Sequence, residues 1–228
     1  MNLKQEVAEF ALNYVKDRMV LGLGTGSTSS YFIQGLGEKI RNGKLQEIQG
    51  VPTSRQTEEL AREVGIPLTS LADQQWLDLA VDGADEVDPN LDLIKGMGHA
   101  LLREKMVEIN ARKFIVVADE TKLVDHLGQK HPLPVEILPF ESDATLRWLD
   151  SLGCKAKFAS SSDGSRIYTD NGNFIAHCRF ERGIENPHEL ARKLADRPGV
   201  IEHGLFLDMA DIVIVATSSG IKLKERIR

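Results

Sequence analysis

The sequence predicts an α/β fold: a mostly parallel sheet with helices on both faces, plus a small inserted α+β domain. Three observations carry that prediction. Short apolar runs, several rich in β-branched residues, alternate with segments of helical period. A glycine-rich turn separates the first such run from the helix that follows it. Pro132, Pro134 and Pro139 then mark a change of grammar, after which a last apolar run at 210–216 returns to the earlier style.

Taken in order, Leu3, Val7, Phe10, Ala11, Tyr14 and Val15 recur at helical spacing, so the chain opens on an amphipathic helix. Residues 19–23 form an apolar run ending in glycines and read as a buried strand, and 27–40 read as a second helix. Residues 77–81 read as another strand, broken by Asp82-Gly83. A helix over about 99–111 follows, then a β-branched strand at 114–118. Beyond the prolines, 145–152 reads as helix. Residues 167–169 and 174–176 flank Asp170-Asn171-Gly172-Asn173 and read as a β-hairpin with a tight turn. Asn186-Pro187 offers a cap and a proline at the first helical position, which predicts a helix over 188–196. The run at 210–216 suits the parallel sheet better than the insert. The expected domains are therefore 1–130 with 205–228, and 131–204.

A chain of 228 residues, 42% hydrophobic and 27% charged, has the make-up of a globular protein able to bury a core. Its formal net charge of -6, from 28 Lys+Arg against 34 Asp+Glu, argues against a nucleic-acid binder, which needs a basic face. It leaves room for a local basic pocket. Cys154 and Cys178 stand too far apart in sequence for a metal knuckle or a C-x-x-C redox pair, and read as buried thiols in a reducing compartment. The first residues lack the apolar core of a signal peptide, and no apolar run approaches the roughly 20 residues that span a bilayer. A cytoplasmic protein with no membrane partner is expected.

Four segments carry chemistry. Leu21-Gly22-Leu23-Gly24-Thr25-Gly26-Ser27-Thr28 joins strand to helix, where glycines allow close approach and free N–H groups can meet a phosphate. Ser27 stands where a dinucleotide fingerprint wants glycine, and no lysine completes a nucleotide P-loop. A small-phosphate cradle remains, beside simple helix capping. Asp82-Gly83-Ala84-Asp85-Glu86 puts carboxylates at the C-terminal end of a strand, the usual ligand crevice of such sheets. The same residues could serve only as a turn, or hold Mg²⁺, although no recognisable pattern of further oxygen ligands accompanies them. Lys95-Gly96-Met97-Gly98-His99 sets a cation beside exposed N–H groups, which suits a developing oxyanion, and leads into Leu101-Leu102-Arg103-Glu104-Lys105. By itself Glu104 is an ordinary helix-start carboxylate, and His99 a surface or capping residue. Ala118-Asp119-Glu120-Thr121-Lys122 closes the next strand and places Lys122 at the same edge of the sheet.

In this order, the segments resemble ribose-5-phosphate isomerase of type A. The likeness continues through Pro132-Leu133-Pro134-Val135-Glu136, Thr169-Asp170-Asn171-Gly172-Asn173 and Gly204-Leu205-Phe206, and so spans nearly the whole chain. The resemblance implies a Rossmann-like sheet and the interconversion of ribose 5-phosphate and ribulose 5-phosphate with no metal or organic cofactor. It also implies a homodimer or homotetramer. It makes Glu104 the acid/base, with Asp82, Asp85 and Lys95 as supporting catalytic residues. Substrate contacts are implied for Thr25, Gly26, Ser27, Thr28, Asp82, Gly83, Ala84, Asp85, Lys95, Gly96, Met97, Gly98 and Lys122. The chain departs from the family's glycine-rich run at Met97 and His99, keeping Gly96 and Gly98. A sugar-phosphate sensor on a related fold would need a DNA-binding module, and the loop beginning at about residue 22 leaves no room for one ahead of it.

Overall fold

The computed structural model describes residues 2–226. Its elements begin with α1 (Leu3–Ala11), β1 (Val20–Leu23), α2 (Ser27–Arg41), β2 (Gln49–Pro52), α3 (Arg55–Glu63) and β3 (Leu79–Asp82). Next come β4 (Glu86–Val87), β5 (Leu93–Ile94), α4 (Leu101–Ile109), β6 (Phe114–Asp119), β7 (Leu133–Ile137), α5 (Ser142–Asp150) and β8 (Lys155–Phe158). The last are β9 (Phe174–Arg179), α6 (Pro187–Ala195), β10 (Val200–His203), β11 (Leu205–Phe206), β12 (Ile212–Thr217) and β13 (Gly220–Glu225). The chain divides into two units. One takes the residues up to Ala84, Arg103–Lys122 and those from Met209; the other takes Asp85–Leu102 and Leu123–Asp208. Against the expected domains, the first unit stops at 122 rather than 130 and resumes at 209 rather than 205, and 85–102 go with the second.

The first unit is built on a six-stranded sheet in the order β13-β12-β6-β3-β1-β2, parallel except where β13 runs antiparallel to β12. Every residue of β3, β6 and β12 is buried, which is why these strands read as continuous apolar runs. Leu21 and Leu23 of β1 pack with Val7 and Ala11 of α1 and with Phe32, Ile33 and Leu36 of α2. Alternation along the strand turns Val20 and Gly22 the other way. There Val107 of α4 packs so closely that a Cβ on Gly22 would lie 2.7 Å from its Cγ1. Helices thus cover both faces. Strand β2 and helix α3 escape sequence reading because Gln49-Gly50-Val51-Pro52 is short and mixed, and α3 buries only Thr57 and Ala61. Strand β2 lies on one side of β1 and β3 on the other, so the winding reverses between β1 and β3, where ligands settle in such sheets.

The second unit has a four-stranded antiparallel sheet, β10-β7-β9-β8, and a three-stranded one, β11-β5-β4. Leu149 of α5 and Leu190 and Leu194 of α6 close over Leu133, Val135, Ile137 and Phe174. Helix α6 starts as its sequence requires, with the Asn186 side chain accepting from Glu189 N–H and Pro187 in the first turn. The expected hairpin forms only its turn: Thr169 N–H donates to Asn173 O (2.8 Å), and Tyr168 meets Phe174 in a single bridge. Both edges of β9 are already paired, with β7 and with β8, so residues 167–169 find no edge to extend along. Both cysteines are free and buried in this core. The hydrogen bond to Cys154, and then burial, hold the Cys178 thiol well above its ordinary range. Among the described residues no helix is long and apolar enough to cross a membrane.

Candidate active site

In the first unit, the loops after β1, β3 and β6 leave the C-terminal edge of the sheet. Gly24 N–H continues the ladder to Val81 O (3.0 Å), which draws the glycine loop against the end of β3. Asp82, the last residue of β3, is buried and lies directly on Gly24: a Cβ there would sit 2.1 Å from Asp82 Oδ1. That oxygen accepts from Thr25 N–H (3.0 Å), Ser29 Oγ (2.8 Å) and Gly83 N–H (2.7 Å). The carboxylate therefore staples the glycine loop, the first turn of α2 and the start of its own turn.

Gly26 has φ 112° and ψ 175°, a region only glycine occupies readily. It is exposed, with nothing within 4 Å of where a Cβ would be, so the loop is open to solvent immediately ahead of α2. The first N–H groups of this 15-residue helix, with Ser27 and Thr28, make a ready anion site. Lys4 donates to Ser27 Oγ at 2.9 Å, bringing a cation to it. The start of α1 is held by the Asn2 cap on Lys4 N–H and by Asn2 Nδ2 donating to Tyr31 Oη (2.7 Å). The Thr25 hydroxyl turns away from the helix terminus. It lies 2.7 Å from Thr53 Oγ1, 2.9 Å from Ser54 Oγ and 3.1 Å from Thr57 Oγ1, a hydroxyl cluster that ties this loop to the start of α3.

Glu104 and Glu108, one turn apart on α4, are both buried. Glu104 and Val107 stand at i and i+3, so Glu104 projects from the side of α4 that meets Gly22 of β1. Lys122 ends the single 3₁₀ turn after β6 and is half-buried. That turn is fixed by Asp119, whose Oδ1 accepts from Thr121 N–H (3.0 Å) and from the Thr121 hydroxyl. Gly83 and Ala84, half-buried, are the last residues of the first unit in this segment.

In the second unit, Asp85 N–H donates to Ile94 O (2.8 Å), and its Oδ2 accepts from Met97 N–H (3.0 Å). The carboxylate thereby pins the middle of Lys95-Gly96-Met97-Gly98. The loop turns tightly, with His99 N–H donating to Gly96 O (2.9 Å) and His99 itself left-handed at φ 62°. Gly98 is exposed; Lys95 is buried at the loop's base. The His99 ring stacks on His177 of β9, with centroids 6.2 Å apart and planes at 23°. Burial lowers the His99 pKa. Burial first, then the neighbouring His99, lowers that of His177, against an opposing pull from Asp85. Glu86, wholly buried, accepts three backbone bonds of 2.6 Å, from Gly128, Lys130 and His131.

The structure thus groups Thr25, Gly26, Ser27, Thr28 and Asp82 in one loop cluster of the first unit, and Asp85, Met97 and His99 in one cluster of the second. Sequence reasoning missed Lys4, Ser29 and Glu86. Lys4 gives no linear signal, since it joins Ser27 across 23 residues. Ser29 and Glu86 lie beside or inside motifs whose other residues carry the stronger local signal. One His/carboxylate group with metal-like spacing exists among the described residues: Asp92, His188 and Asp208, with the latter two exposed. Asp82 and Asp85 are not in it.

The family model described as ribose 5-phosphate isomerase A (phosphoriboisomerase A) matches residues 49–220. Ribose-5-phosphate isomerase A of Thermococcus kodakarensis is 49% identical over 226 residues, 98% of either chain, and that of Pyrococcus horikoshii 50% identical with the same coverage. A solved D-ribose-5-phosphate isomerase in complex with phospho-erythronic acid superposes with a TM-score of 0.96 at 49% identity, covering 99% of this chain and 100% of that one. The Plasmodium falciparum ribose 5-phosphate isomerase gives 0.96 at 36% identity, covering 99% of each chain. These relatives are aldose–ketose isomerases on an α/β fold. The chain belongs to the ribose 5-phosphate isomerase A family.

Proposed function

We propose that this chain interconverts D-ribose 5-phosphate and D-ribulose 5-phosphate through an enediolate, with Glu104 as acid/base and no metal or organic cofactor. The carrying observation is the family match, close to half identical over 98% of both chains. The phosphate is assigned to the first turn of α2, at Ser27 and Thr28, with Lys122. Glu104, as carboxylate, takes the C2 proton of the open aldose; the C–H pair becomes the C1–C2 double bond, and the carbonyl pair moves onto O1. Lys95 and the N–H groups of its loop stabilise that oxygen, a role worth about 3–4 kcal/mol per well-placed donor. The O2 hydroxyl gives up its proton and O1 gains one, with Asp82 and Asp85 as carriers, while Glu104 returns its proton to C1. The relative's structure was solved in complex with phospho-erythronic acid, a phosphorylated sugar acid. This supports the reading.

The same family relation supports a place in the non-oxidative pentose phosphate pathway, in the cytoplasm, as a homodimer or homotetramer. The test is ketose formation from ribose 5-phosphate by the purified chain, with and without exhaustive chelation. Active turnover in both arms is expected, and Glu104→Gln should lose at least 1,000-fold in kcat with little change in binding, or about 4 kcal/mol of barrier. No ketose from folded protein would remove the assignment; near-normal turnover in Glu104→Gln would remove Glu104 from its role.

A further inference from the structure

Lys95 is a buried lysine, 2% exposed. Its backbone continues the ladder between β5 and β11. Leu93 pairs with Phe206 and Ile94 with Leu205, and Lys95 N–H then donates to Gly204 O at 2.9 Å. Gly204 is therefore opposite Lys95, and Phe206 is its diagonal neighbour on the same face, within reach of a long side chain. The lysine takes that reach: Nζ lies 5.3 Å from the centroid of the Phe206 ring, itself 0% exposed. Gly204 is required for space. A Cβ there would fall 2.2 Å from Lys95 O and 3.0 Å from Pro134 Cδ, and Gly204 N–H is held by Pro134 O at 2.8 Å. Strand β7 thus fixes Gly204, Gly204 fixes the Lys95 backbone, and the aromatic face lies beside its ammonium.

We propose that Phe206 is a positioning residue for the isomerase reaction: its ring face keeps the Lys95 ammonium charged and aimed in a desolvated setting, and Gly204-Leu205-Phe206 is the frame that delivers it. This rests on the proposed role of Lys95. A ring that attracts a cation through its negative face favours the protonated lysine, and the attraction grows as water is removed. A merely space-filling Phe206 would be indifferent to the ring's electron density.

The test replaces Phe206 in the full chain by mono-, di- and trifluorophenylalanine, which keep the ring's shape while draining electron density from its face. Each is assayed for kcat, KM and the pH profile, beside Lys95→Met and Phe206→Leu. Expected is a graded fall in kcat, reaching about 5- to 30-fold at full cancellation, with KM within about threefold. The alkaline limb of the profile should move stepwise to lower pH, because the protonated lysine loses stabilisation. A flat response across the fluorinated series, with Lys95→Met inactive, would overturn the role of Phe206 and leave the isomerase reading standing. An active Lys95→Met would remove the role of Lys95 itself, and this inference with it.

Discussion

Replacing Gly24 by alanine attacks the interlock between the glycine loop and Asp82. The added Cβ would lie 2.1 Å from Oδ1, 2.2 Å from Cγ and 2.5 Å from Cβ of Asp82, where ordinary contact begins at 3.4 Å. The carboxylate must retreat by about 1 Å or more, which stretches bonds that now span 2.7–3.0 Å past useful length. Hydrogen bonds to a charged acceptor are worth about 1.5–3 kcal/mol each. Losing two of three costs about 3–6 kcal/mol, from which alanine's smaller unfolded-state entropy recovers up to about 1. At about 2–4 °C per kcal/mol, the unfolding midpoint of Gly24→Ala should fall by roughly 10 °C. Misplacing the start of α2 by this much should lower kcat/KM by about 100-fold. Calorimetry with a ribose 5-phosphate assay on the same preparation measures both. A midpoint within about 2 °C of wild type and kcat/KM within about threefold would refute the interlock.

Lys4→Met should raise KM for ribose 5-phosphate by about 3- to 10-fold and weaken competitive inhibition by inorganic phosphate in parallel, because the cation beside Ser27 is lost; unchanged inhibition would exclude Lys4 from the anion site. Glu86→Gln sets an amide donor against backbone N–H groups and should cost about 3 kcal/mol in urea unfolding, with kcat per folded molecule retained. An unaltered midpoint would refute that role. His99 and His177 both titrate below their ordinary 6.5, so as pH falls through 6.5 the unfolded chain binds protons that the folded chain refuses. Their contribution is complete above 6.5 and declines below it until the folded values are reached. His177→Phe should flatten the loss of stability between about pH 7 and 5; a slope equal to wild type would show that the pair does not govern it.

How much was legible follows from which interactions are local. Buried parallel strands such as β6 and β12 announce themselves, because no residue alternates outward. Helix α6 announces itself through its cap and Pro187. Strands β4, β5 and β11 are two residues each, and exist only by pairing: β4 with β5 nearby, and β5 with β11 across more than 100 residues. Residues 85–102 joined the second unit for the same reason, which no composition shift marks. Among site residues, Asp82 and Lys95 stood out by motif. The hydroxyl cluster that takes up the Thr25 side chain needs Thr53, Ser54 and Thr57, which lie in a stretch the sequence left without an element.

Asp82-Gly83-Ala84-Asp85-Glu86 distributes its three acids among unlike tasks: one staples the glycine loop, one pins Met97, and one gathers the backbone of 128–131. A mutational scan scored on growth or turnover alone would not tell these three tasks apart. Glu86→Gln, expected to lose folded molecules rather than turnover per molecule, would be scored alongside the other two. Dividing each variant's activity by its folded fraction separates scaffold from reagent in this motif.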